Sequence, residues 1–124
     1  MEFLKKALAE KAIPSLEVDF SKIDFTSRDS VLNTAKTFED LGVAAYNGAG
    51  KLIKNVDYLA AAGTIVSVEA RHAATIRDLL QPGSVAFSGP DVVDKNGLDG
   101  AFPPAKVLAA AGPFIKTEVT ALSL

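Results

Sequence analysis

Two stretches of this chain repeat small or apolar residues every three or four positions, and each is broken once, near its middle, by a glutamate. In the first, Leu32, Ala35, Val43, Tyr46, Gly50 and Ile53 share a helical face with Glu39. In the second, Tyr58, Ala62, Ile65, Ala73, Ile76 and Leu80 share one with Glu69, and His72 lies one turn on, at the edge of the stripe. At about 100° per residue each set falls on one narrow face, the signature of an amphipathic helix and not of a strand. A carboxylate in the middle of an apolar stripe is costly to bury unless it is paired, protonated or bound to a cation. The chain is therefore expected to be all-α, with two long helices whose inward faces carry a charge problem that the fold must answer.

The boundaries are marked. Thr26 or Ser27 is placed to cap the first long helix, with Asp29 at capping-box spacing from Thr26, and the helix should run to about Ile53. Asn55-Val56-Asp57 makes the turn, with Asn55 or Asp57 as the next cap, and the second helix should run from Tyr58 to Leu80 before Gln81-Pro82-Gly83 stops it. A turn this short makes the two helices antiparallel neighbours. Ahead of them, residues 1 to about 11 read as a short helix ended by Ile13-Pro14, and 14–26 as loop, since Pro disfavours helical geometry in the residue before it. Residues 83–104 are rich in Gly, Pro, Asp and Asn and read as a long surface loop; 104–111 reads as a short helix ended by Gly112-Pro113. The tail Phe114-Ile115-Lys116-Thr117 carries no clear pattern. The 124 residues fit one domain, 1–124.

Composition removes several function classes. There is no Cys, so disulfides, thiolate metal sites and cysteine nucleophiles are excluded. The 13 basic residues are scattered, net charge is -2 and Trp is absent, which leaves neither a basic stripe nor a stacking platform for nucleic acid. No stretch is long and apolar enough to span a bilayer, and Met1-Glu2-Phe3-Leu4-Lys5-Lys6 lacks the apolar run of a signal peptide. Ser84 and Ser88 lie in the loop without a base beside them, so nucleophilic catalysis has no support.

What remains is the Glu/Glu/His set. Two carboxylates on adjacent helices raise one another's pKa, and a divalent cation removes the conflict. Glu69-Ala-Arg-His72 places carboxylate and imidazole one turn apart, so both can reach one ion, and such O/N donors suit iron, manganese or zinc. Glu39, Glu69 and His72 are the candidate metal ligands. Tyr46, two turns from Glu39, reads as a core Tyr with a satisfied hydroxyl, or as a neighbour that hydrogen-bonds to a ligand or donates an electron near a metal. Asp40 and Asp57 fit caps or solvated faces, and Ser67, Arg71 and Asp78 point away from the stripe.

The stretches Thr37-Phe38-Glu39-Asp40-Leu41-Gly42-Val43-Ala44-Ala45-Tyr46 and Ala60-Ala61-Ala62-Gly63-Thr64-Ile65-Val66-Ser67-Val68-Glu69-Ala70-Arg71-His72-Ala73-Ala74 resemble the second half of the bacterial and plant ferritin-like domain that includes desiccation-related proteins. The resemblance extends over most of residues 1–116, including Pro103-Pro104-Ala105-Lys106-Val107-Leu108-Ala109 and Pro113-Phe114-Ile115. It implies a four-helix bundle in which each helix pair supplies one Glu and one Glu-x-x-His. Met1-Glu2-Phe3-Leu4-Lys5-Lys6-Ala7-Leu8 resembles the segment just after the first Glu-x-x-His of that family, so the chain is expected to be the C-terminal half of a bundle. Family members are often exported; a missing upstream segment would hide a signal, and as it stands the chain reads as cytoplasmic.

Half a bundle leaves apolar stripes uncovered, and a two-fold homodimer would rebuild four helices. Two copies would supply four carboxylates and two imidazoles, the dimetal donor set of ferritin-like bundles. On that expectation Glu69 bridges, Glu39 is terminal, His72 caps each metal, and iron or manganese supports iron oxidation or oxygen and peroxide chemistry. The alternatives are a structural, stress-associated helical module without metal, and a fragment that needs its missing half.

Overall fold

A computed structural model describes residues 2–119. Its order is α1 (Glu2–Leu8), a 3-10 turn Ala9–Lys11, α2 (Arg28–Gly50), α3 (Val56–Leu80), a 3-10 turn Ala86–Ser88, α4 (Pro104–Ala111) and a 3-10 turn Gly112–Phe114. Among the described residues the regular elements are all helical, joined by turns and loops that carry two isolated bridges, Val18 with Ile115 and Val93 with Asp99.

Local chemistry explains the ends of the long helices. Ser27 caps α2: its Oγ accepts from the Ser30 N–H at 3.3 Å. Thr26 instead turns back, its N–H and hydroxyl both donating to Asp24 Oδ1 at 2.9 and 2.6 Å, so the capping box from Thr26 to Asp29 does not form. Asn55 caps α3, accepting from the N–H groups of Asp57 and Tyr58 at 2.9 and 3.1 Å. Helix α2 ends at Gly50, three residues short of the expected Ile53, because the Ala49 and Gly50 carbonyls bond forward to Leu52 and Ile53 in tight turns. Pro104 opens α4, where its missing N–H costs nothing.

The α2–α3 pair is the body of the molecule. The helices run antiparallel: Gly50 faces Leu59 at one end, and Gly42 faces the Glu69 side chain. The core is thin. Among the described residues the buried apolar ones are Val43, Ala44, Ala62 and Ala73, and no side chain is wholly enclosed. Three of the four are Ala, so the axes approach closely but little apolar area leaves water.

Two long-range contacts hold the rest to this pair. Lys116 N–H donates to the Glu17 carbonyl at 2.8 Å and Asp19 N–H to the Phe114 carbonyl at 2.9 Å, so the loop before α2 and the tail after α4 form a short antiparallel clasp. Above it Phe20, Phe38 and Phe114 stack edge-to-face, with centroids 6.4 and 4.8 Å apart. Between the helices, the 83–104 segment crosses the outer side of α2 as a strap. Phe102 N–H donates to the Ala44 carbonyl at 2.8 Å, and Asn47 Nδ2 donates to the Gly100 carbonyl at 3.2 Å. Gly48 makes this crossing possible, since a β-carbon there would collide with the Phe102 backbone. The strap, α2, α3 and α4 enclose an open cleft of about 430 Å³ lined by residues such as Leu41, Ala73, Val92, Phe102 and Ala110.

Candidate metal centre

Glu39 is carried mid-way along α2 and Glu69 and His72 mid-way along α3, and the antiparallel packing brings the three together. One ligand atom from each lies within 4.8 Å of the others. His72 Nδ1 is 3.4 Å from Glu39 Oε1 and 3.8 Å from Glu69 Oε2, within ion-pair range but too long for strong hydrogen bonds. The two glutamates are half-buried, and His72 is 55 % exposed at the rim. Gly42 leaves room beside Glu69: the glutamate's Cβ, Cγ and Cδ run along the α2 backbone at that point.

The electrostatics are those of a carboxylate pair without enough compensation. Burial, then a hydrogen bond shared with Glu69, then the Glu69 charge push Glu39 up to about 7, and His72 pulls it only partly back. Glu39 Oε2 is buried with no hydrogen-bond partner. Burial and the Glu69 charge also raise Tyr46, which places its phenol in the same field. The donors are two carboxylates and an imidazole, aimed at a common point with one buried oxygen unsatisfied. That is a fit for a divalent cation.

The expected positions of Ser67, Arg71 and Asp78 hold: all three are exposed, and Arg71 Nη1 donates to Ser67 Oγ at 2.7 Å. Asp40 does not sit on a solvated face. It takes a fork from Arg77, with Nη2 at 2.7 Å and Nε at 3.4 Å, while Arg77 Nη1 donates to Asp91 Oδ2 at 2.6 Å. Arg77 is 7 % exposed, buried deeper than any other charged residue described. Burial alone would weaken its hold on its proton, but the bonds to Asp91 and Asp40 outweigh that and raise it further. Sequence reasoning passed over this network. Its signal was spacing: Arg77 lies one turn beyond the inward Ala73, and Asp40 three and four residues before the buried Val43 and Ala44.

Among the described residues no helix is long and apolar enough to cross a membrane. A family model described as a ferritin-like domain matches residues 1–82, which hold α1, α2, α3 and all three candidate ligands; residues 83–116, over which the sequence resemblance also extends, lie outside the matched span. No curated protein and no solved structure matches the chain. With two thirds of its length matched, the chain belongs to the ferritin-like domain family.

Proposed function

We propose that this ferritin-like chain is a metal-carboxylate protein that binds iron or manganese through Glu39, Glu69 and His72. The observation that carries the reading is the convergence of these ligand atoms within 4.8 Å around a buried Glu39 oxygen that nothing satisfies. Three donors do not fill the shell of either metal; water would take the open positions, or a second copy of the chain would supply the same three donors again. When bound, iron or manganese would contribute one-electron chemistry toward dioxygen or peroxide, including oxidation of ferrous iron as substrate. The chain's own part is to hold two carboxylates at short range, to keep His72 at the open rim, and to place the Tyr46 phenol near Glu69.

Elemental analysis of protein purified without chelator tests this directly. Wild type should carry iron or manganese and Glu69→Ala should not; equal, negligible metal in both ends the reading. Thermal scans add an independent measure. Metal at 100 times its Kd should stabilise the wild type by about 2.7 kcal/mol and leave Glu69→Ala unmoved.

One observation favours a rival, a structural, stress- or desiccation-associated module without metal. A proton on Glu39 near neutral pH removes the carboxylate conflict as a cation would. That reading gains if the melting temperature is indifferent to both metals.

A further inference from the structure

The α2–α3 contact is smooth, yet the donor cluster it carries demands a fixed register. Its buried apolar residues are Val43, Ala44, Ala62 and Ala73, and Ala side chains present no deep ridges for a neighbouring helix to lock into. The turn at 51–55 ties the helices at one end, about 16 Å along α2 from Glu39, which leaves splay and rotation unchecked at the height of the ligands. Glu39, Glu69 and His72 offer ligand atoms within 4.8 Å of one another. Metal–ligand distances tolerate about 0.2 Å, so moving Glu39 by even one residue's rise, about 1.5 Å, would break up the set.

Beside the cluster stands a contact that can fix that register. Asp40 follows Glu39 in α2, and Ala73, which follows His72 in α3, lies one turn from Arg77. Successive residues lie about 100° apart, so each helix carries a ligand and a partner of the Arg77 fork on different flanks of the apolar seam. The fork holds an angle as well as a distance. Arg77 Nη2 donates to Asp40 Oδ2 at 2.7 Å and Nε to Oδ1 at 3.4 Å, a two-point contact that a point charge would not give. Asp91 of the strap takes Nη1 at 2.6 Å from outside, and Arg77 is buried. Arg28 also crosses from α2 to α3, its Nη2 donating to the Leu79 carbonyl at 2.9 Å, but from a side chain 60 % exposed at the N-terminal end of the helix.

We infer that Arg77 and Asp40 are positioning residues: their fork sets the height and rotation of α2 on α3 and so holds Glu39 against Glu69 and His72. What the cluster binds rests on the metal reading above; the register does not.

The chain has no Cys, and a β-carbon at position 42 would lie 3.9 Å from that of Glu69, inside the window of about 3.5–4.5 Å that a disulfide spans. Gly42→Cys with Glu69→Cys therefore reports the register without metal. In chelator and a glutathione buffer, the pair should close readily in the otherwise native chain. Adding Asp40→Ala and Arg77→Met together should lower its effective molarity at least about ten-fold. That fork variant strands no cation and should keep much of its stability, so a fork that merely stabilises predicts little loss of closure. Asn55→Ala, which removes the α3 cap and costs stability far from the fork, should leave closure unchanged. In the Cys-free chain, manganese(II) titrated under electron paramagnetic resonance should bind about 10–100-fold more weakly to Asp40→Ala/Arg77→Met than to wild type. Arg77→Lys, which keeps the charge without the two-point contact, should fall between them. Unchanged closure in the fork variant, or an equal loss in Asn55→Ala, overturns the inference, as does a measurable manganese affinity equal in wild type and fork variant. Slower closure in the fork variant alone, with no manganese on the wild type, keeps the inference and sinks the metal reading.

Discussion

Replacing Asp40 should strand a cation. Arg77 is 7 % exposed and its guanidinium makes three bonds, two of them to Asp40 and one to Asp91. Breaking one partner of a buried ion pair costs about 3–5 kcal/mol, because the survivor is left buried and uncompensated. Two features reduce this here. Asp40 is one third exposed, so water reaches its side of the pair, and Asp91 stays on the opposite side of the fork. The expected cost of Asp40→Ala is about 2–3 kcal/mol. Asp91 is 64 % exposed and adds a single bond, so Asp91→Ala should cost no more than about 1 kcal/mol. Arg77→Met removes the charge while keeping the aliphatic volume and leaves Asp40 partly solvated, so it should cost less than Asp40→Ala. The decisive variant is the double one. If the damage in Asp40→Ala is the stranded cation, adding Arg77→Met should recover most of it. Urea unfolding at fixed protein concentration gives the four midpoints, with equal m-values as the check on comparability. Additive losses in the double variant, or an Asp40→Ala cost no larger than that of Asp91→Ala, would show that Arg77 reaches water and that the fork is not what holds it.

The pH dependence of the metal-free protein has a defined sign. Glu39 holds its proton to about 7 in the folded chain against an ordinary value of 4.5, so between those limits the folded state binds more protons than the unfolded state. Stability should therefore fall as pH rises through that window, and Glu39→Gln should flatten the slope; identical melting-temperature profiles for the two would refute it. Two glycines in the helices should respond oppositely to Ala. Gly48→Ala drives a β-carbon into the Phe102 backbone and should destabilise by about 1–3 kcal/mol, whereas Gly63→Ala meets open space and should stabilise by about 0.5–1 kcal/mol, both read as shifts in urea midpoint. If metal binds only the assembled pair, metal affinity should strengthen on raising protein concentration across the dimer transition, and metal should tighten the dimer by the same factor; an affinity independent of concentration rules the coupling out.

The long helices and their ligands could be read from the chain because both depend on local order. A 3.6-residue period and a cap at each end need only neighbours in sequence, which is why Ser27, Asn55 and the Glu39 and Glu69 positions were accessible. The missed features are those that join distant residues. The clasp of 17–19 on 114–116 spans roughly a hundred positions, and Arg77 reaches 37 residues back to Asp40 and 14 forward to Asp91. No local pattern marks a charged residue that turns inward, because the same residue on the same helix is solvated unless a partner arrives from elsewhere. The strap obeys the same logic: Gly48 looks like one more small residue until the Phe102 carbonyl crosses it. These contacts also explain why the helix pair coheres with so few buried apolar side chains. On its outer side, the strap, the Arg77 fork and α4 supply the cohesion. On the other side the Glu39–Glu69–His72 cluster lies at the rim with the His72 side chain 55 % exposed, so a ligand held there would tie α2 to α3 where the apolar core is too thin to do so.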